Sequence, residues 1–477
     1  MKIYRTLKKN IDYIKSKNSN KDLIVRNIFC GTKQIAVVFL DDQTDSERLE
    51  LYVISKIVDS KQPPKSIFDL QNQNISVSAT QVLQNLDDCL SEIMGGNSVV
   101  FMQGSPNAIK CATLKYAQRS VTEPPNSDVI FGPREGFVEN LKTNMNLVRK
   151  RLPTTELKTE ELHIGRYTKT KVEVCYIDNI ADHKVVEKIK SRLQQIDIDG
   201  IIDAHYLTSF LEERKNSIFK QIGKCEKPDI VVAKLLEGRV AIMVDNSPVV
   251  LTLPFILLED LQNSDDYYQR SFRVSFIRFL RVFGILISML VPGIYVAIQL
   301  YHYRIIQIKF LVTIMDSTQG IMFSPFMETL FVLLLFDILF EASLRMPKYI
   351  GVAVSIVGAL VLGDTAVKAG LVSSPTVMIV ALTGISFYTV PDEVSQLAIL
   401  RLAFTLLGGM IGFLGIIAGW VLLVTYLVDF DAYDSPYFAP YAPYISEDLK
   451  DGLFKQETIA LKTRPKSIPN KNRTRKK

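Results

Sequence analysis

Between Phe279 and Val428 the chain carries several near-continuous apolar runs. Each is about 20 residues long, the length a bilayer core demands of a helix. Charges sit inside or beside them: Glu328, Asp337, Glu341, Arg345, Asp364 and Lys368. An ionisable side chain at bilayer depth costs about 2.5 to 3.5 kcal/mol on insertion scales, so such groups must face protein, water or one another. This stretch therefore folds as helices packed on helices.

The 477 residues leave room for about three domain-sized units at roughly 150 residues each. Residues up to about Tyr268 are mixed in polarity and rich in charge, so a soluble half is joined to an apolar half. A net charge of +6, concentrated beside the apolar runs and at the C-terminus, argues against a nucleic-acid binder. Cys30, Cys89, Cys111, Cys175 and Cys225 lie far apart with no CxxC pair, which suggests reduced cytosolic cysteines and no disulfide framework. The basic N-terminus lacks a following apolar stretch, so no cleavable signal is expected and the soluble half is expected to stay inside the cell.

The expected fold is an α/β cytoplasmic region of two subdomains (residues 1–120 and 121–268), then a multi-pass helical membrane domain (269–430) and a basic cytoplasmic tail (431–477). In the first subdomain the patterning predicts a helix from Leu7 to Ser16, a strand from Gln34 to Leu40 and a helix capped by Ser46. A helix over about Ser78 to Ile93 follows, then the strand SVVFM and another near Ala108 to Tyr116. Pro124 and Pro125 mark the boundary. The second subdomain reads as a helix on Leu141, Met145 and Val148, then strands Leu162 to Thr168 and Lys171 to Ile177. A helix through Val185 and Leu193, a short one near Tyr206 to Glu213, and the strands GRVAIMVD and PVVLTLPF complete it.

Arg270, Arg273, Arg278 and Arg281 precede the first apolar run and fall within about 140° of one helix face. They read as a positive-inside membrane anchor, with a partner-docking stripe as the alternative. The first span, about Phe279 to Tyr301, is interrupted by Pro292-Gly293; Ile350 to Val372 and Thr376 to Val390 are two more. The last run, Leu397 to Val428, is long enough to be tilted or broken at Gly408-Gly409. With the arginines and the basic tail on one side, the number of crossings is even; four results if Pro325 to Leu344 lies at the interface, six if it crosses and the last run is a hairpin. The first is preferred.

Asp337, Glu341 and Arg345, spaced i, i+4, i+8, form either a docking stripe or the lining of an ion gate, and Asp364 with Lys368 makes a second pair. Gly408, Gly412, Gly415 and Gly419 make one small-residue seam, and Ser355, Ala359 and Gly363 another, suited to tight helix packing or to a narrow pore. Catalysis finds no support: no histidine stands at metal-ligand spacing, no phosphate loop or nucleophile elbow is present, and no cofactor or metal is called for. Asp197, Asp199 and Asp203 in IDIDGIID read as a helix-to-loop junction.

Several blocks in order resemble the A-subunit of spore germinant receptors: FGPREGFVENLKTNMNLVRKRL, IGRYTKTKVEVCYI, KPDIVVAKLLEGRVAIMVDNSPVVLTLP, DILFEASLRMP and IVGALVLGDTAVKAGLVSSPTVMIVALTGISFYTVP. The chain departs from the family at Phe340, where an arginine is usual, and at Cys225-Glu226-Lys227-Pro228-Asp229, where Thr-Glu-Arg-Pro-Asp is common. The resemblance implies a subunit of an inner-membrane spore complex, partnered by a transporter-like B-subunit and a lipoprotein C-subunit. It implies a homo-oligomer that conducts cations when an amino acid, sugar or nucleoside binds, with the nutrient pocket in the B-subunit. The alternative is a non-conducting scaffold.

Overall fold

Two five-stranded antiparallel sheets with the same strand order occupy the first half of the chain in a computed structural model, which describes residues 1–18, 22–31, 33–41, 43–60, 62–114, 131–346 and 363–476. The first contains β1 (Leu23–Cys30), β2 (Lys33–Leu40), β3 (Thr80–Leu83), β4 (Ser98–Met102) and β5 (Ala108–Cys111), in the order β1-β2-β4-β5-β3. The second contains β6 (Leu157–Ile164), β7 (Thr170–Ile177), β8 (Gly223–Cys225), β9 (Val240–Val244) and β10 (Val250–Leu253), in the order β6-β7-β9-β10-β8. Helices recur at matching places. α1 (Leu7–Lys17) precedes β1 and α2 (Leu86–Met94) precedes β4. Likewise α3 (Leu141–Arg151) precedes β6, while α4 (His183–Gln194) and α5 (His205–Leu211) follow β7 and α6 (Pro228–Glu237) precedes β9.

The central strands explain the layering. Every residue of β4 and of β9 is buried, so both faces of each sheet are covered. Val100 and Met102 pack with Leu49, Val53 and Ile57 of the helical stretch 46–58, while Val99 and Phe101 pack with Leu86, Leu90 and Ile93 of α2. In the second unit Ile242 and Val244 meet Val185, Ile189 and Leu193 of α4, and Ala241 and Met243 meet α3 and α6. Burying a side chain of this size stabilises by about 1.5 to 3 kcal/mol. Local signals place the helices: Asp182 caps α4 by accepting from the Lys184 amide at 2.9 Å, and Pro228 opens α6 while Gly238 closes it at φ 104°.

Several expectations change. Asp45, not Ser46, caps the helical stretch 46–58, because its carboxylate accepts from the Arg48 amide. The expected helix from Ser78 begins only at Leu86; Thr80–Leu83 instead pairs with β5, where backbone bonding outweighs helical spacing. β1, β8 and α6 are additional elements. The expected linker around Pro124 and Pro125 lies outside the described residues.

The second half is helical. α7 (Ser271–Tyr301) runs unbroken through Pro292. It is followed by α8 (Ile308–Thr318), α9 (Pro325–Arg345), α10 (Ser374–Phe387), α11 (Val394–Ile411) and α12 (Phe413–Val428). By length and composition, α7 and α11 are able to cross a membrane, and α10 and α12 are shorter apolar helices. The long final run turns at Gly412, φ 76°, and not at Gly408-Gly409. It folds back as a hairpin, so that Gly415 faces Leu407 and Gly419 faces Leu407 and Phe404.

α7 starts at the α/β region, and its far end meets the far end of α11, where the Tyr301 hydroxyl donates to the Gly409 carbonyl at 2.9 Å. α9 spans the same height, about 30 Å for its 21 residues. Phe326 packs on Gly409 at the far end, and the Phe340 and Tyr388 rings lie 6.2 Å apart toward the near end. Pro325 to Leu344 is thus one continuous helix packed along α7, α10 and α11. Most of the expected span from Ile350 to Val372, with Ser355 and Ala359, lies outside the described residues.

The C-terminal segment is not a loose basic tail. Ala432 and Tyr433 are fully buried in the core of the second unit, and the Tyr433 hydroxyl donates to the Leu211 carbonyl at 2.5 Å. Arg464 donates to the Leu236 carbonyl at 2.6 Å, and the Lys471 amide donates to Ile180. The chain thus leaves the second α/β unit, forms the helical layer and returns to complete the unit it left.

Candidate functional site

Two clusters of charge join the α/β region to the near end of the helices. In the first, Arg278 of α7 is fully buried; its Nε donates to Asp266 at 2.9 Å and its Nη1 to the Gly452 carbonyl at 2.6 Å and the Asp451 carboxylate at 3.0 Å. Arg281 grips the same Asp266 with both Nη atoms, at 2.9 and 3.0 Å. Lys455 donates to the Asp266 carbonyl at 2.8 Å. A body turn, the first apolar helix and the returning segment thus meet around Asp266 and Arg278.

The second cluster holds the loop between α10 and α11. Lys220 pairs with Asp260 and, at 2.9 Å, with Glu393, and the two carboxylates are only 5% and 7% exposed. Burial opposes the Lys220 charge, but the two carboxylates raise it above the ordinary lysine range. Asp260 is pushed well above the usual carboxylate range, by burial and by the neighbouring Glu393 against the pull of Lys220. One residue away, Glu259 bridges Lys234 at 2.7 Å and Arg239. Its carboxyl is held low, because these two cations outweigh the cost of burial. A line of buried charge therefore runs from α6 to the helical layer. Arg214 adds a third tie, donating to the Asp429 carbonyl at 2.6 Å just past α12.

Within the helices the expected stripe divides. Asp337 pairs with Arg401 of α11, a guanidinium 1% exposed and 4.5 Å from the Phe387 ring centroid. Glu341 and Arg345 pair with each other at 2.6 Å on an exposed surface, as do Asp364 and Lys368 at 2.5 Å. Glu328, 1% exposed, accepts from the Ser373 amide at 2.6 Å and the Ser373 hydroxyl at 2.7 Å, capping α10. Of the glycine seam, Gly408 backs onto the Gly293 backbone of α7, Gly412 makes the turn, and Gly415 and Gly419 meet α11. A Cβ at Gly363 would meet nothing within 4 Å among the described residues. Of the four anchor arginines, Arg278 and Arg281 face protein, while Arg270 and Arg273 are exposed.

A cleft of about 370 Å³ separates the two α/β units, lined by Asp22, Asp41, Lys142, Arg149, Glu161 and Lys171 among others. Pairs cross it between Lys142 and Asp41 and between Arg149 and Asp22. In IDIDGIID, Asp197 accepts from Arg166 at 2.7 Å and Asp203 accepts from the Ser247 hydroxyl at 2.6 Å. No group of three or more metal-ligating side chains occurs among the described residues.

Lys220, Asp260, Asp266, Glu393 and Arg401 are absent from the sequence-derived set. Their partners lie tens to hundreds of residues away, and only the isolated arginine in the apolar run of α11 signals its own need for a partner.

The Bacillus/Clostridium GerA spore germination protein family matches residues 10–467. The chain belongs to that family. Spore germination protein KA of Bacillus subtilis (strain 168) is 34% identical over 98% of this chain and 88% of its own length. Spore germination protein B1 of the same organism is 30% identical over 98% of both. The uncharacterized membrane protein YfkQ, also from Bacillus subtilis (strain 168), is 37% identical over 83% of this chain and 77% of its own. A crystal structure of the N-terminal domain of the A subunit of the Bacillus megaterium spore germinant receptor GerK3 covers 53% of this GerA-family chain and 96% of that domain, at 27% identity and a TM-score of 0.39. This is an A-subunit of the spore germinant receptor family.

Proposed function

We propose that this A-subunit transduces nutrient binding into germination at the inner membrane of the spore, working with a transporter-like B-subunit and a lipoprotein C-subunit. Its helices cross the membrane several times, and both α/β units and the returning C-terminal segment lie on the cytoplasmic side. The observation that carries this reading is the junction. α7 begins, the α10–α11 loop turns and α12 ends against one α/β unit, held by buried charge at Arg278 and Glu393 and by an exposed tie at Asp429. Movement of the body must therefore move the helices.

The conducting form is an oligomer whose helices, including the exposed pairs at Glu341–Arg345 and Asp364–Lys368, frame a cation path. Subdivision into residues 1–120, 121–268, 269–430 and 431–477 belongs to the same proposal, with the last segment folded into the second unit. Packing of the Gly408 to Gly419 seam within the chain favours the second reading, a non-conducting scaffold. Deletion and reconstitution separate them. Spores lacking the chain should ignore a nutrient that the parent strain answers, and full-length protein in liposomes should raise cation flux. Loss of response without flux would leave the scaffold, and a normal response in the deletion strain would overturn both.

A further inference from the structure

We infer that Lys220, Asp260 and Glu393 form a proton-operated latch between the α/β region and the α10–α11 loop. The inference rests on the reading of this junction as the coupling point.

Two carboxylates converge on one ammonium: Asp260 on the body and Glu393 on the helical layer both contact the Lys220 Nζ, and all three side chains are less than a fifth exposed. One positive charge cannot neutralise both acids away from water, so one carboxyl holds a proton. Among the described residues, no second cation pairs with either carboxylate. The Phe255 ring lies 5.2 Å from Lys220, and the buried Tyr437 ring lies 6.0 Å from Phe255. Glu259 on the same turn is already matched by Lys234 and Arg239, and Arg214 stands over Tyr426 and Phe430 and pairs with Asp429. With one proton bound, the trio is neutral and joins body to loop. When that proton leaves to solvent, two anions share one ammonium in a buried site, and the loop is repelled from the body.

The sign follows from the direction of the shift. The proton is held more tightly in the closed junction than in an open one, where the carboxyl titrates in its ordinary range. Closure is therefore favoured at acidic pH and weakens as pH rises through the elevated value. This is the same direction as the raised Asp260 carboxyl. Lys220 remains charged throughout, its raised value lying above the range in which the carboxyl titrates.

The test uses full-length protein in detergent micelles. Infrared spectroscopy follows the carbonyl stretch of a protonated carboxyl during titration. In parallel, spin labels at Lys215→Cys on the body and Ser395→Cys beside the loop report their separation; both positions are exposed. The parent protein should show a protonated carboxyl persisting above the ordinary carboxylate range and a label distance that widens as that band disappears. Asp260→Asn and, as a second variant, Glu393→Gln should each lose the band and hold the distance constant with pH. A trio with no persistent protonated carboxyl, or a distance indifferent to its loss, overturns the latch. Neither readout depends on germination or conduction, so the latch and the transducer reading fail separately.

Discussion

Asp266 receives both Arg278 and Arg281, with Nε and Nη contacts of 2.9 to 3.0 Å, so a single carboxylate on the α/β region fixes the first turns of the first apolar helix. Asp266 is 1% exposed and Arg278 fully buried, which makes the arrangement one of the places where removing one partner strands a charge. Asp266→Ala should lower stability by about 3 to 5 kcal/mol. Thermal unfolding of the detergent-solubilised chain measures this, and an Arg273→Ala control, at an exposed position, should be nearly neutral.

Arg401 and Asp337 are the only ion pair between two different helices of the layer among those described, and they should behave as a coupled unit. Arg401→Ala and Asp337→Ala each weaken the packing of α9 on α11. The double variant should recover about 0.5 to 3 kcal/mol relative to the sum. A double-mutant cycle read by chemical denaturation measures it. Simple additivity would mean that the two side chains do not act together.

The crossing of α7 and α11 depends on two glycines. A Cβ at Gly408 would sit 2.3 Å from the Gly293 carbonyl oxygen, and one at Gly293 would sit 2.5 Å from the Phe404 carbonyl oxygen. Backbone cannot rotate aside, so Gly408→Ala should cost about 1 to 3 kcal/mol. Gly95→Ala, whose new Cβ would approach nothing nearer than 3.4 Å among the described residues, should cost far less. Unfolding of the two variants side by side gives the comparison.

Much of the α/β region was legible before the structure. SVVFM and VAIMV are short, apolar but for Ser98, and flanked by turn residues, and they form the central strands of their sheets. β1 was not legible, because LIVRNIFC lies at a sheet edge and shows Arg26, Asn27 and Phe29 to solvent. The repeated strand order was equally hidden, since it resides in pairing and not in residue identity. In the helices, the charges of α9 were read as one stripe because spacing along a helix is visible. Their division between Arg401 and Arg345 was not, because it depends on which helix lies alongside. The junction trio was hidden for the same reason: Lys220, Asp260 and Glu393 share no local pattern.

The returning segment should be indispensable to the second α/β unit. Tyr433 is fully buried, and the Arg192 guanidinium lies 5.2 Å from its ring centroid. Tyr433→Ala should cost about 3 to 5 kcal/mol, the range for deleting a large buried aromatic. It should also expose the α4 and α5 region to limited proteolysis, whereas Tyr444→Ala, at a 74% exposed position, should not.

Buried cysteines should resist modification in the folded chain. Burial pushes the Cys89 and Cys111 thiols up to about 12, so almost no thiolate exists at neutral pH. Maleimide labelling of these two should be at least about tenfold slower in the native protein than after unfolding. It should rise only as pH approaches that value. Mass spectrometry of time-quenched samples provides the rates.

Lys220→Met removes the ammonium that both carboxylates share and so interrupts the junction at its centre. Spores carrying this substitution, with receptor level matched by immunoblot, are given a nutrient series while cation release is recorded. A coupling of about 1.4 kcal/mol corresponds to tenfold in the nutrient concentration needed, and the dose–response curve should move by about that factor. A curve that coincides with the parent strain at equal receptor level would mean that the signal does not pass through this junction.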